Sequence, residues 1–199
     1  MNNLQLEPTD ALLIIDMQYD FLPGGSLGVP GGDAVLAPIN RLAALFAQHG
    51  LPVYASRDWH PADHCSFGAR GGPWPPHCVA GTHGAAFSDE LRLPHGTTVV
   101  SKADTADVDA YSAFNGTGLA GQLHARGVRR VLVCGLATDY CVLNTVLDAR
   151  ANGFAVLIVP GAMRAVDVAP GDGKRAIARM IEHGARVVGV EELPAPADA

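Results

Sequence analysis

What this sequence has little of narrows it first. Basic residues are outnumbered: 14 Lys and Arg stand against 20 Asp and Glu, a formal net charge of −6 over 199 residues. A chain of that sign has no general attraction for nucleic acid or for an anionic membrane surface. Long apolar runs are missing as well. The longest early run, Ala11 to Ile15, is far too short to span a bilayer. The segment Met1 to Asp10 lacks the basic start and apolar core of a secretion signal. The expectation is a cytoplasmic protein without nucleic-acid or membrane partners, either a monomer or a homo-oligomer. Cysteine is sparse: four residues, with no dense framework of the kind that staples small secreted domains. Each thiol is therefore read on its own. Phosphate-binding signatures are absent too. Gly24-Gly-Ser-Leu-Gly28 and Gly31-Gly32 match neither GxGxxG nor the P-loop pattern, and read as a turn-rich loop.

Apolar residues make up 48% of the chain and charged residues 17%, ordinary for a globular protein. The length suits one domain, residues 1–199, with enough chain to bury a core. A composition typical of disorder is confined to the Pro/Ala-rich tail, Leu193 to Ala199. Six short Val/Ile/Leu-rich runs punctuate the sequence: 11–15, 52–56, 97–101, 131–134, 155–159 and 186–189. Unbroken rather than alternating apolar runs suit parallel strands covered on both faces. Between them, Val35, Leu36, Ile39, Leu42, Ala43 and Phe46 share one helical face. So do Val142, Thr145, Val146 and Ala149, and likewise Ala176, Ile177, Met180 and Ile181. Gly50, Gly127, Gly153 and Gly184 each stand between a helical stretch and the next run, where a left-handed residue ends a helix. Helix, glycine, strand, four times over, predicts an α/β fold of three αβα layers around an open, mostly parallel six-stranded sheet of Rossmann-like topology.

In such sheets the ligand site lies beyond the carboxyl ends of the strands. Asp16, Asp58, Lys102 and Cys141 follow the first four runs in that order. One polar or reactive residue at each of four strand ends converges on one crevice. Thr138 reads as the N-cap of the following helix, which places Cys141 near its third position. There the free backbone N–H groups and the helix dipole favour an anion, lower a thiol pKa and can bind an oxyanion. Cys134, inside a run, reads as core. Cys65 and Cys78 neighbour a His-rich loop of about 58–95 but form no CxxC pair, so they rank below its histidines as metal ligands. That loop carries His60, His64, His77, His83 and His95 among many Pro and Gly, and long loops of this kind are usually functional. Asp58, His60, His64 and His77 offer a carboxylate and imidazoles suited to one divalent metal ion, Zn²⁺, Fe²⁺ or Mn²⁺. His83 and His95 read as ordinary loop residues. Phe21, Trp74 and Tyr111 lie in loops and suggest a flat pocket for an aromatic ring.

Six segments, in order, resemble one family: Asp16-Met-Gln-Tyr-Asp-Phe21, Asp58-Trp-His-Pro-Ala-Asp-His-Cys-Ser-Phe67, Trp74-Pro-Pro-His-Cys-Val79, Lys102, Tyr111-Ser-Ala-Phe114 and Gly135-Leu-Ala-Thr-Asp-Tyr-Cys-Val142. Together they resemble the nicotinamidase/pyrazinamidase group of the isochorismatase-like cysteine hydrolases, from about Ala11 to Val188. The resemblance implies hydrolysis of nicotinamide, and of pyrazinamide, to the acid and ammonia through a cysteine thioester, in pyridine-nucleotide salvage. A related hydrolase of another small carboxamide or ureido substrate is the alternative. By the same resemblance, Asp16 acts as general base and Lys102 holds its carboxylate. Cys141 attacks, and the backbone N–H groups of Ala137 and Cys141 form the oxyanion hole after a cis Leu136–Ala137 bond. Asp58, His60 and His77 bind the metal, with His64 a candidate fourth ligand, and Phe21, Trp74 and Tyr111 frame the ring. The acidic stretch after Lys102, through Asp109, departs from the group's pattern at the pocket border and bears on substrate preference.

Overall fold

In the computed structural model, which describes residues 5–189 and 192, each unbroken apolar run is a strand. The strands are β1 (Asp10–Ile15), β2 (Val53–Asp58), β3 (Thr98–Lys102), β4 (Arg130–Leu136), β5 (Ala155–Arg164) and β6 (Arg186–Val187). They form one sheet in the order β3-β2-β1-β4-β5-β6. Every pairing is parallel, so the sheet is more uniform than expected. The Pro/Ala-rich tail, Leu193 to Ala199, lies outside the described residues.

The helices are α1 (Leu36–Gln48), α2 (Leu119–Ala125), α3 (Leu143–Ala151) and α4 (Asp172–Glu182). Side chains of β1 alternate between two cores. Ala11, Leu13 and Ile15 join Leu119 and Leu123 of α2, Val146 of α3 and Met180 of α4. Leu12 and Ile14 join Ile39, Leu42 and Phe46 of α1 on the other face. Strand β4 divides the same way, with Val131 and Val133 on one side and Leu132, Cys134 and Leu136 on the other. Both faces are covered, and that is why the strands carry no polar alternation. The four helix-ending glycines all take positive φ, between 64° and 89°.

Four strands depart most from the sequence reading. Strands β2 and β3 run to Asp58 and Lys102 themselves, so these residues end the strands rather than follow them. Strand β5 continues to Arg164 across a bulge: Val133 pairs with Ile158, but Gly135 pairs with Met163. Pro160 lies within the bulge, where its missing N–H breaks the ladder. Strand β6 is only two residues long. The segment between β2 and β3 contains a short 3₁₀ turn, Gly68–Arg70, and is pinned by bridges between His60 and Val79 and between Phe67 and Trp74.

Candidate active site

The strand order reverses between β1 and β4, and the crevice there receives residues from four strand ends. Asp16 and Ala103, each just past a strand, take φ of 50° and 49°, so the chain leaves the sheet at once on both sides. Gly135 is needed where β4 meets β1. Its φ is 115°, and a Cβ there would overlap the backbone of Ile15. The peptide bond Leu136–Ala137 is cis, as the resemblance implies. Beyond it the chain forms not a regular first helical turn but a π turn, Thr138–Val142, whose Val142 N–H reaches back to Ala137 O.

Two expectations about this turn are corrected. Thr138 is not the N-cap: Ala137 occupies that position, and no side chain caps the turn. Cys141 therefore sits fourth in the turn, one position later than expected. Nor is its thiol held low. Burial pushes it well above its ordinary value, against the pull of Lys102. Cys141 is only 6% exposed, so little water is left to stabilise its thiolate.

Lys102 is the hub of the crevice. Its ammonium lies 2.9 Å from Asp16 Oδ2 and 3.5 Å from Cys141 Sγ, is bonded to Asp58 Oδ1, and approaches the carbonyl of Ala110 at 3.4 Å. Burial favours the neutral amine, but the two carboxylates win and hold the ammonium charged, well above the ordinary lysine range. Asp16 is fully buried, and burial raises its carboxyl against the lowering pull of Lys102. Ser56 Oγ donates to Asp16 Oδ1 at 2.6 Å. Oδ2 has no well-directed hydrogen bond, so it keeps a lone pair for a proton. Gln18 fixes Asp58 from both sides of its backbone: the Asp58 N–H donates to Oε1 and Nε2 donates to the Asp58 carbonyl, each at 2.8 Å.

The metal-type donors lie beside this network. One ligand atom from each of Asp58, His60 and His77 falls within 4.8 Å of the others, and all three residues are buried. Nδ1 of His60 lies 3.0 Å from the Ala103 carbonyl and Nδ1 of His77 lies 2.9 Å from that of Pro75. A carbonyl only accepts, so each Nδ1 carries a proton and Nε2 is the nitrogen left to ligate. The buried His60 Nε2 has no hydrogen-bond partner. Burial lowers the His77 pKa, which favours the neutral, ligating form. An orphaned imidazole nitrogen, a second neutral imidazole and a carboxylate oxygen fit a divalent cation. Asp16, Asp58 and Cys141 are also close enough to hold a cation, but the Lys102 ammonium already serves all three.

His64 does not join the donors. Its ring stacks on His60 with centroids 4.1 Å apart. Its Nδ1 meets Ser66 Oγ at 2.8 Å and its Nε2 meets the Val108 carbonyl at 3.1 Å, so both nitrogens face protein partners. Cys134 lies in the core, as expected, and Cys78 is wholly buried with its thiol pushed far up by burial. His95 is exposed, and His83 stacks on Tyr19 at 4.0 Å.

A cavity of about 260 Å³ opens over the sulfur, lined among others by Phe21, Trp74, His77, Tyr111, Tyr140 and Cys141. Trp74 Nε1–H donates to the Tyr111 hydroxyl at 3.0 Å, and the ring of Tyr140 meets Trp74 edge-on at 5.5 Å. The three aromatics expected from the sequence are thus brought together. Tyr140, Leu27, Val29 and Val166 also line the cavity and were not anticipated. Tyr140 could have been found from its place beside Cys141. The aliphatic walls carry no signal that separates them from core residues.

A parallel αβα sheet with a buried Asp–Lys–Cys cluster at its switch point defines a class: α/β enzymes built around a thiol nucleophile. Residues 10–192 match the family model of the isochorismatase domain, and the chain belongs to that family. The nicotinamidase of Escherichia coli strain K12 is 38% identical over 89% of this chain and 93% of its own. The zinc complex of the pyrazinamidase of Pyrococcus horikoshii is 45% identical, with a TM-score of 0.88 over 92% of this chain and 99% of that one. A protein of L. infantum solved in complex with nicotinate is 42% identical, with a TM-score of 0.90 over 97% and 99%. No helix among the described residues is long and apolar enough to cross a membrane.

Proposed function

We propose that this chain is a nicotinamidase: it hydrolyses nicotinamide to nicotinic acid and ammonia through a thioester on Cys141, and accepts pyrazinamide. The observation that carries the reading is the Lys102 ammonium joining Asp16, Asp58 and Cys141 at the floor of an aromatic-walled cavity. The named relatives and the nicotinate complex of the L. infantum protein support it.

The steps follow from what an amide requires: an activated nucleophile, a proton for the leaving nitrogen and a place for negative charge. The cavity aromatics hold the ring while Asp16 Oδ2 takes the Cys141 proton, so the thiol is ionised only as it attacks. A C–S bond forms, and the carbonyl oxygen becomes an oxyanion bonded by the N–H groups of Ala137 and Cys141. Loss of one such donor costs about 3 kcal/mol of transition-state stabilisation. Collapse breaks the C–N bond, and protonated Asp16 gives its proton to the departing ammonia. Water then loses a proton to Asp16 and attacks the thioester. The C–S bond breaks, nicotinic acid leaves, and Asp16 returns the proton to sulfur. Lys102 keeps the Asp16 carboxylate in place through both halves.

Asp58, His60 and His77 would hold a divalent ion; their donor set suits zinc, iron or manganese, and the zinc complex of the P. horikoshii pyrazinamidase supports zinc. When bound, such an ion would supply a Lewis acid that orients the ring by its pyridine nitrogen, directly or through water. We further read residues 1–199 as one domain, with 58–95 as its metal and substrate loop, working in the cytoplasm in pyridine-nucleotide salvage.

The test is ammonia release from nicotinamide, set against acyclic amides, by wild type and Cys141→Ala, with metal analysis of the same sample. Wild type releases ammonia from nicotinamide and the variant does not. Turnover of acyclic amides without nicotinamide turnover would overturn the substrate assignment, and near-wild-type rates in Cys141→Ala would overturn the nucleophile.

A further inference from the structure

Asp20 has no place in the chemistry above, yet it is bonded to three separate parts of the loops around the cavity. It sits in a short 3₁₀ turn, Tyr19–Phe21. Its Oδ2 accepts the Cys78 N–H at 2.7 Å and its Oδ1 accepts the Ser26 N–H at 3.3 Å. Its own N–H donates to the Gly84 carbonyl at 3.0 Å, and its carbonyl accepts the Leu27 N–H at 2.9 Å. Ser26 and Leu27 line the cavity, Phe21 is the next residue, and Cys78 directly follows His77. Cys78 holds a positive φ of 46°, a conformation a non-glycine residue keeps only when its surroundings enforce it.

Gly84 shows how closely the carboxylate is enclosed. A Cβ built there would overlap Oδ2, Cγ and Oδ1 of Asp20 and meets nothing nearer. The φ of Gly84 is not positive, so its backbone would admit alanine. The glycine is required by the carboxylate, not by the turn.

We propose that Asp20 is a positioning residue: its carboxylate ties the Phe21–Leu27 wall of the cavity to the His77 segment, so one side chain sets substrate affinity and metal affinity together. This rests on the reading of His77 as a metal ligand and of the cavity as the substrate site. Partners that orient metal ligands typically contribute about 10- to 100-fold in affinity.

The experiment uses the full chain loaded with zinc. Zinc affinity is measured by chelator competition, and kcat and KM for nicotinamide are measured separately, in Asp20→Ala, Gly84→Ala, the double variant and His77→Ala. Asp20→Ala and Gly84→Ala each weaken zinc by about tenfold and raise KM by a similar factor, while kcat changes far less. The double variant is no worse than Asp20→Ala, because removing the carboxylate makes room for the new methyl. If Asp20→Ala does not fold, Asp20→Asn, with one accepting oxygen left, carries the same expectation at smaller size. Unchanged zinc affinity in both single variants, or single effects that multiply in the double, overturns the proposal. His77→Ala separates the failures. Zinc lost there but kept in the Asp20 and Gly84 variants sinks the proposal alone. Zinc kept in all of them removes the metal reading and the proposal with it.

Discussion

Asp58 and Lys102 are register partners at the ends of β2 and β3, and the ammonium is bonded to one oxygen of the carboxylate. The other oxygen, Oδ2, turns toward His60 Nε2, 3.6 Å away. One carboxylate thus belongs to the metal-type cluster and to the charged network under the thiol. Lys102 holds Asp58 far below the usual carboxylate range despite its burial, so the carboxylate stays ionised for both tasks.

Removing the shared cation leaves two buried carboxylates facing each other. Lys102→Met keeps the length of the side chain and deletes its charge. The loss of a buried partner costs about 3–5 kcal/mol. Urea unfolding should show that loss, and ammonia release should disappear with it. A variant as stable as wild type would mean that the Asp16–Lys102–Asp58 contacts contribute nothing to the fold.

The buried thiol predicts a pH profile. Burial raises the Cys141 pKa and Lys102 only partly opposes it, so the resting sulfur is protonated at neutral pH. The thiolate fraction then grows as pH rises toward the raised value. Inactivation by iodoacetamide without substrate should accelerate steadily from about pH 7 to about pH 9. Substrate should protect, which separates Cys141 from the half-buried Cys65. A rate already flat below about pH 7 would show a preformed thiolate and remove the need for Asp16 to take the proton at attack.

The aromatic wall can be tested with a single oxygen. Tyr111→Phe removes the acceptor of the Trp74 indole N–H and keeps the ring. An indole N–H stripped of its partner loses about 1 kcal/mol, equivalent to about a fivefold rise in KM. Turnover at saturation should hold, because neither residue touches the sulfur network. A fall in kcat at constant KM would assign Tyr111 to the chemistry instead of to ring binding.

The sheet was legible because both its faces are covered, which writes each strand as an unbroken apolar run. Asp16, Asp58, Lys102 and Cys141 were legible because polar residues at the ends of such runs have nothing to do in a core. The sharing of Asp58 was not, since it depends on β2 and β3 pairing in the register that sets residue 58 against 102. The bonding of His64 to Val108 depends in the same way on a loop folding back across 44 residues of chain. The thiol was misjudged because a helix end can be inferred from sequence spacing, whereas the depth of burial around it cannot. Val166 and Leu27 look like any other core aliphatics until the cavity is seen between them.

Gly135 links the sheet to the nucleophile, and its replacement tests that link. Its φ of 115° is open to glycine alone among ordinary residues, and an added Cβ would press into the backbone of Ile15, one residue before Asp16. Backbone strain and overpacking each cost about 1–3 kcal/mol, and here they act on the same atom. Gly135→Ala should therefore lose about 3 kcal/mol of stability in urea unfolding. Because β1 must move away from β4 to admit the methyl, Asp16 and Cys141 shift apart, and kcat should fall further than the loss of folded protein accounts for. Wild-type stability would show that the two strands can separate freely. Wild-type kcat per folded molecule would show that the spacing of Asp16 and Cys141 is set elsewhere than at this crossing.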